Sequence, residues 1–241
     1  MCMKIVYEPR GAALEYSPLA CNIYIGCEHA CKYCYAPRCM KRDKEQFHSA
    51  RVERKDAIKN LRHDLAELRE KGDRREILFC FVADPYSRDE NPLTTEALKV
   101  CREFDHPFQI LTKGGLRAVG DFDLYSEQDT FASTLTFMDE EKSRYYEPGA
   151  PLPSDRITAL RLAHLRGIRT WVSFEPVIDP EETYKLFDAT KNYVDKYKIG
   201  KVTQFKTEKE VDWAQFTRNM IQLCESNRKD YLIKDSLKKY L

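Results

Sequence analysis

Short runs of Val, Ile, Phe and Thr alternate along the chain with longer stretches in which apolar residues recur every three or four positions. That alternation is the pattern of repeated βα units feeding a parallel sheet. Six pairs are expected, with strands at 21–25, 77–82, 108–112, 130–136, 170–174 and 201–205, each followed by a helix. The clearest helix spans 55–71, where Ile58, Leu61, Leu65 and Leu68 share one face and Gly72 ends it. Thr94 or Thr95 is placed to cap the next helix. Ser154 precedes the run with Ile157, Leu160 and Ala163, which stops near Gly167. Asp179, Pro180 and Glu182 read as a capping-box start for the fifth. Val211, Trp213, Phe216, Met220 and Leu223 mark the sixth, and a helical tail is expected from about residue 228 to 241. The Pro-rich stretch 147–153 reads as a rigid loop rather than a domain boundary, because the alternation continues through it.

At 241 residues the chain suits one α/β domain spanning 1–241, since α/β barrels reach roughly 200–250 residues without splitting. With 42% hydrophobic and 33% charged residues it reads as globular, not disordered. Lys and Arg number 40 against 39 Asp and Glu, so no global field draws the chain onto phosphates, and only a local basic groove remains open. No run of about 18 apolar residues marks a membrane span, and the N-terminal stretch 1–10 has no long apolar core. The expectation is a cytoplasmic protein without a membrane partner.

Nine cysteines is an odd number, and without a secretion signal a disulfide framework explains them poorly. Cys2, Cys80, Cys101 and Cys224 are scattered and suit small core positions. Cys21, Cys27, Cys31, Cys34 and Cys39 crowd together, and Cys27-Glu-His-Ala-Cys31-Lys-Tyr-Cys34 sets three thiols at spacings of four and three. Chance would produce that spacing about 0.01 times in such a chain. A [4Fe–4S] cluster usually takes four cysteines, so a three-cysteine loop leaves one iron open to a cofactor. S-adenosylmethionine (SAM) can chelate that iron through its amino and carboxylate groups. An electron from the cluster can then break its carbon–sulfur bond and give a 5′-deoxyadenosyl radical that abstracts hydrogen from a substrate.

C-x3-C-x-aromatic-C after the first strand resembles the signature of radical SAM enzymes, with Tyr33 as the aromatic. The resemblance implies an α/β fold of partial (β/α)6 TIM-like barrel type, with the cluster loop at 26–36 and SAM at the open mouth of the strands. It implies Tyr33 beside the SAM adenine and a flavodoxin- or ferredoxin-type electron donor. Further stretches are similar to the spore photoproduct lyase-like branch, often labelled DNA repair photolyases. They include 22–36, Ala83-Asp-Pro-Tyr86, Ile110-Leu-Thr-Lys113, Tyr146-Glu-Pro-Gly-Ala-Pro151, Val172-Ser-Phe-Glu-Pro176, Tyr197-Lys-Ile-Gly200 and Ile233-Lys-Asp-Ser-Leu237. That branch implies a nucleobase or modified, thymine-derived nucleotide as substrate, for lyase, isomerase or modification chemistry. A small molecule or peptide is the alternative.

Position assigns further candidates. Asp84 ends the second strand, where the superfamily's glycine-rich segment meets the SAM amino group, and it could accept from that ammonium or serve a turn before Pro85. Lys113, Ser133 and Glu175 end or follow later strands and could meet SAM carboxylate, ribose or substrate, or hold plain loop roles. Tyr7, Tyr16, Tyr24, Tyr35, Tyr86, Tyr145 and Tyr146 could include base-stacking or radical-relay residues, against half-buried packing. The photoproduct lyases return hydrogen from a second-strand cysteine three residues before the aspartate. Phe81 holds that position here and Cys80 lies one earlier, so strand alternation turns Cys80 from the cavity unless a bulge intervenes. The chain shows no obvious added DNA-binding domain. Two other classes compete: a zinc site completed by Cys39, Cys21 or His29, and a four-cysteine electron carrier using Cys39. His29, between the ligands, reads as a residue supporting them or lying at the surface rather than as a ligand itself.

Overall fold

The computed structural model describes residues 4–203, 205 and 210–241; Cys2 and part of the expected strand at 201–205 lie outside the described residues. The chain opens with β1 (Val6–Tyr7), a 3-10 turn at Gly11–Glu15, and β2 (Leu19–Cys21). A small ladder of β3 (Tyr24–Ile25) and β4 (Val52–Glu53) then brackets α1 (Ala36–Cys39) and α2 (Lys44–Ser49). Next come α3 (Ala57–Glu70), β5 (Ile77–Phe79), α4 (Pro92–Glu103) and β6 (Phe108–Thr112). A 3-10 segment at Gly115–Leu124 leads to β7 (Thr130–Thr134), α5 (Glu140–Tyr146), α6 (Pro153–Leu165) and β8 (Arg169–Val177). The chain closes with α7 (Pro180–Thr190), β9 (Lys196–Lys201), α8 (Trp213–Ser226), β10 (Asp230–Ile233) and α9 (Asp235–Lys238).

The main sheet runs β1-β2-β5-β6-β7-β8-β9-β10, with β1 antiparallel to β2 and every other neighbour parallel. The mixed α/β single domain of a partial TIM-like barrel is thus present. Parallel strands put all their C-terminal ends on one side, which is where such barrels build sites. Side-chain alternation divides the strands into two faces. Ile77, Phe79, Phe108, Ile110, Phe131, Val172 and Phe174 pack outward against helical Leu61, Leu65, Leu98 and Leu160. The inner face carries polar groups: Gln109 Nε2 and Lys198 Nζ both donate to the Tyr16 carbonyl, at 3.3 and 2.6 Å. Tyr16, just after the first 3-10 turn, thereby lies across the inner face, its carbonyl held from β6 and from β9.

Several sequence expectations move. The sixth strand is Lys196–Lys201, not 201–205, because its alternating lysines look like a solvated segment although Lys198 is 8% exposed. A seventh parallel strand, β10, replaces part of the expected helical tail, and only Asp235–Lys238 is helical there. The third unit carries a 3-10 segment instead of an α-helix. Asn91, not Thr94 or Thr95, precedes α4; Thr94 Oγ1 instead donates to the Pro85 carbonyl and Thr95 Oγ1 to Asp121. Ser154 falls inside α6, after Pro153 at its first turn. Asp179 caps α7 by accepting from Glu181 N, but no reciprocal box forms, since Glu182 accepts from the backbone of Met138 and Asp139. Among the described residues no helix is long and apolar enough to cross a membrane.

The edge strand β1 is fixed by a carboxylate. Asp64 on α3 is buried, and its Oδ2 accepts from Ile5 N and Val6 N at 2.7 and 2.8 Å. Asp64→Ala leaves both donors unpaired and is expected to cost about 2–3 kcal/mol. Urea unfolding measures the loss, and hydrogen exchange at Ile5 and Val6 should accelerate before the rest of the sheet.

Candidate functional site

The cysteine loop leaves β3 at Gly26 and is held from two sides. Gly26 has φ +86°, and a Cβ there would stand 2.3 Å from the Ala50 carbonyl oxygen, so only glycine lets the loop turn against the end of α2. Cys27 N donates to the Phe47 carbonyl at 3.3 Å, and His48 Nδ1 lies 2.8 Å from the Cys27 carbonyl. From the other side, Lys32 N donates to Tyr146 O at 2.8 Å and Gly149 N to His29 O at 3.0 Å. A Cβ on Gly149 would stand 2.0 Å from the Glu28 carbonyl oxygen. The Pro-rich stretch read as a rigid loop is therefore the outer jaw of this clamp.

Cys27, Cys31 and Cys34 line one cavity of about 460 Å³. Burial pushes all three thiols up, Cys31 to about 12, so a bound cation is needed to keep them as thiolates. Among the described residues no three His, Cys, Asp or Glu side chains stand close enough to share one ion. Three soft donors around a shared space fit a polynuclear iron–sulfur centre better than a lone zinc. The other expected zinc ligands fare no better: Cys21 is fully buried in the sheet, and both His29 nitrogens face acceptors, Gly149 O at 3.2 Å and Asp84 Oδ2 at 3.1 Å. Cys39 is exposed and reaches the cavity from the end of α1.

Tyr33 lines the same cavity beside a buried charge pair. Its hydroxyl donates to Glu147 and lies 3.1 Å from Thr136 Oγ1. Glu147 pairs with Arg156 of α6 at 2.7 Å, and both side chains are almost wholly buried. Burial alone would raise the Glu147 carboxyl, but the Arg156 and Lys113 charges outweigh it and hold it below its ordinary value. Lys113 also lines the cavity. Burial works against its ammonium, yet the Cys31 and Glu147 charges carry it above its ordinary value. Arg156 was not singled out in the sequence. Its one signal is a charged residue on the stripe that also carries Ala159, Leu160 and Ala163.

Asp84 reaches the cavity, but three hydrogen-bond donors and the His29 ring already face its oxygens. Oδ1 accepts from Tyr86 N at 2.8 Å and Thr112 Oγ1 at 2.5 Å; Oδ2 accepts from Lys113 N at 2.7 Å and meets His29. Burial opposes its charge, and His29 with these donors more than restores it, leaving the carboxyl well below the ordinary range. A carboxylate has about four acceptor sites, so Asp84 ties the loop after β5 to β6 and the cysteine loop.

Two expected residues lie elsewhere. Ser133 points to the outer face of β7 and donates to Thr112 O at 2.9 Å, while Thr134, one residue on, lines the cavity. Tyr86 is buried under the site and donates to Asp121 at 2.7 Å, so it does not meet the cavity. Cys80 does reach it, together with Phe81. Strand β5 ends at Phe79, so alternation no longer governs those residues; Asn22 Oδ1 instead holds Phe81 N and Val82 N at 2.8 and 3.2 Å. Burial pushes the Cys80 thiol up to about 12.

Glu175, at the end of β8, also lines the cavity. Its Oε2 accepts from Tyr16 Oη and from Lys234 Nζ. Lys234 follows β10, is 2% exposed, and also meets Glu15 at 3.4 Å. A Cβ on Gly200 would come within 2.8 Å of Glu175 Oε1. Tyr16 and Tyr35 line the cavity, whereas Tyr24 bonds Thr94, Tyr7 accepts from Asn22, and Tyr145 lies under Lys32.

Removing Glu147 strands Arg156 without a partner. Glu147→Ala is expected to cost about 3–5 kcal/mol in denaturant unfolding, and replacing both residues by methionine should recover most of that loss.

The family model for the radical SAM superfamily matches residues 21–194. Among curated proteins, the uncharacterized protein Rv2578c of Mycobacterium tuberculosis is 30% identical over 182 residues, 70% of this chain and 52% of that protein. The uncharacterized protein MJ0683 of Methanocaldococcus jannaschii is 30% identical over 161 residues, 65% of this chain and 59% of that protein. The chain thus spans about half the length of the mycobacterial relative. In fold it is similar to spore photoproduct lyase complexed with dinucleoside spore photoproduct, with a TM-score of 0.70 and 13% identity, covering 93% of this chain and 78% of that one. Streptococcus suis SuiB bound to S-adenosylmethionine gives a TM-score of 0.64 at 11% identity, over 88% and 45% of the two chains. SuiB bound to its precursor peptide SuiA gives 0.61 at 14% identity, over 83% and 45%. With the family match running from the first parallel strand through the fifth and taking in the whole cysteine loop, the chain belongs to the radical SAM superfamily, whose cofactors are a [4Fe–4S] cluster and S-adenosylmethionine.

Proposed function

We propose that this radical SAM enzyme acts on a nucleobase or modified, thymine-derived nucleotide, in lyase, isomerase or modification chemistry. The observation that carries the reading is one cavity with the three thiols and Tyr33 on one wall and Glu175, Ser173 and Lys201 on another. Cys27, Cys31 and Cys34 would hold the cluster. Bound cluster and SAM supply reductive carbon–sulfur cleavage and hydrogen abstraction.

The protein's own residues aim that chemistry. Tyr33, fixed through Glu147 and Thr136, lines the cavity with a ring that would suit contact with the adenine. The Lys113 ammonium, beside Cys31, suits the SAM carboxylate. Glu175 has its Oε2 committed to Tyr16 and Lys234, which leaves Oε1 as an acceptor for an imide or amide N–H of a base. Likeness to a lyase whose structure holds a dinucleoside supports a nucleotide over a peptide, since 78% of that chain is covered against 45% of the peptide-bound neighbour. The described cysteines are unpaired, which suits a reducing cytoplasm.

Cys80 carries the hydrogen-return role in this reading. Its thiol stays protonated near neutral pH and so offers an S–H to a substrate radical at the cavity wall.

The test is anaerobic iron and sulfide reconstitution, reduction with SAM, and chromatography for 5′-deoxyadenosine. The triple alanine variant of Cys27, Cys31 and Cys34 should lose both the brown chromophore and that product, whereas Cys39→Ala should keep both. Thymine-containing oligonucleotides or nucleotides should raise turnover and be altered in mass; if only peptides or metabolites do so, the nucleotide assignment is wrong. Cys80→Ala should keep single-turnover 5′-deoxyadenosine while product yield drops at least severalfold. Full product yield would remove Cys80 from the mechanism.

A further inference from the structure

Where β2 and β5 part, a side chain takes over from the ladder. The two parallel strands end together, with Cys21 in register with Phe79. Beyond them the backbone of the β5 side bonds to Asn22, which lies between β2 and β3 and is 5% exposed. Asn22 Oδ1 accepts from Phe81 N at 2.8 Å and from Val82 N at 3.2 Å, and Nδ2 donates to Tyr7 Oη at 2.7 Å. Flipping the amide would set its NH2 group against two N–H donors, so these partners fix its orientation. Tyr7 belongs to β1, the strand that Asp64 holds through its backbone.

The residue next to this clamp is Cys80. The backbone N–H groups of Ile23 and Tyr24, the two residues after Asn22, face its sulfur, and both residues are fully buried. A thiol has one hydrogen and a weakly accepting sulfur. Donors on one side therefore leave the S–H bond to point to the other, toward the cavity that Cys80 lines. Tyr35 Oη also donates to the Phe81 carbonyl at 2.8 Å, so residues 80–82 are held by side chains where strand geometry has ended. Asn22 itself does not line the cavity, and any effect on the chemistry passes through Cys80.

We infer that Asn22 is the positioning residue that keeps the Cys80 thiol at the cavity wall, through its bonds to Phe81 N and Val82 N. This rests on the hydrogen-return reading of Cys80 above. In that step the S–H bond breaks homolytically, the hydrogen forms a C–H bond at the carbon radical, and the unpaired electron stays on sulfur. Such a transfer needs donor and acceptor atoms in near contact, and an ångström of misplacement costs up to roughly 100-fold. A thiol on a segment without regular secondary structure has that precision only if something fixes the segment.

The experiment runs reductive SAM cleavage in heavy water without substrate, so that the 5′-deoxyadenosyl radical meets the exchanged thiol instead. Mass spectrometry reads the fraction of 5′-deoxyadenosine that carries a solvent-derived deuterium. Wild type should carry the label and Cys80→Ala should lose it. Asn22→Ala should lower the labelled fraction about tenfold. Asn22→Asp keeps an acceptor for both N–H groups and can accept from Tyr7 Oη, so it should restore most of the label. In cluster-free protein, amide exchange at Phe81 and Val82 should accelerate in Asn22→Ala and stay slow in Asn22→Asp. A wild-type labelled fraction in Asn22→Ala, or wild-type amide protection there, overturns the inference and leaves Cys80 in its role. Absence of rescue by Asn22→Asp also overturns it, reducing Asn22 to packing. If Cys80→Ala keeps the label, or wild type shows none, the hydrogen-return reading itself fails and the positioning role with it.

Discussion

A single buried carboxylate organises the mouth of this barrel. Parallel strands deliver their ends to one side, but those ends are loops with unpaired backbone groups until something collects them. Asp84 does so: its two oxygens gather donors from the loop after β5, from the end of β6 and from the cysteine loop through His29. A buried charge in a low-dielectric site is tolerated only when so fully bonded. The arrangement sets where Lys113 starts, where Tyr86 packs and how far the cysteine loop overhangs the cavity. A second buried pair, Glu147 with Arg156, does the corresponding work for Tyr33 from the side of α6.

The thiol spacing and the strand and helix alternation were open to reading because each is a local pattern. Cys27, Cys31, Cys34, Tyr33, Asp84, Lys113 and Glu175 all reach the cavity. Ser133 and Tyr86 do not, for reasons of register: Ser133 has the parity of outward-facing Phe131, and Tyr86 lies beyond the strand in a turn. Cys80 fails the alternation rule in the opposite sense, since the strand stops before it. Partners from distant segments left weaker traces. Nothing near Lys234 or Tyr16 in the chain says that they will meet over Glu175, a contact made only when the sheet closes.

Strand β9 shows the same limit in its composition. Lys196 and Lys198 alternate with Tyr197 and Ile199, a pattern that on an exposed strand would face solvent. Here the inner face is a barrel interior stoppered by Tyr16, and Lys198 lies over the Trp171 ring with its ammonium 4.3 Å from the centroid. Burial, with Lys196 and Lys234 nearby, pushes its amine down to about 8. Charge inside the barrel follows from closing it with a polar backbone segment, whose carbonyl needs donors.

That closure joins segments far apart in sequence. Asp235 N donates to Glu15 across 220 positions of sequence, and Lys234 reaches Glu15 and Glu175 at the same seam. Pairings of such separation carry the largest loop-closure cost and tend to form late. The wall that carries Glu175 is therefore expected to be completed later in folding than the loop that carries the thiols, whose backbone hydrogen bonds, among the described residues, reach only as far as Tyr146 and Gly149.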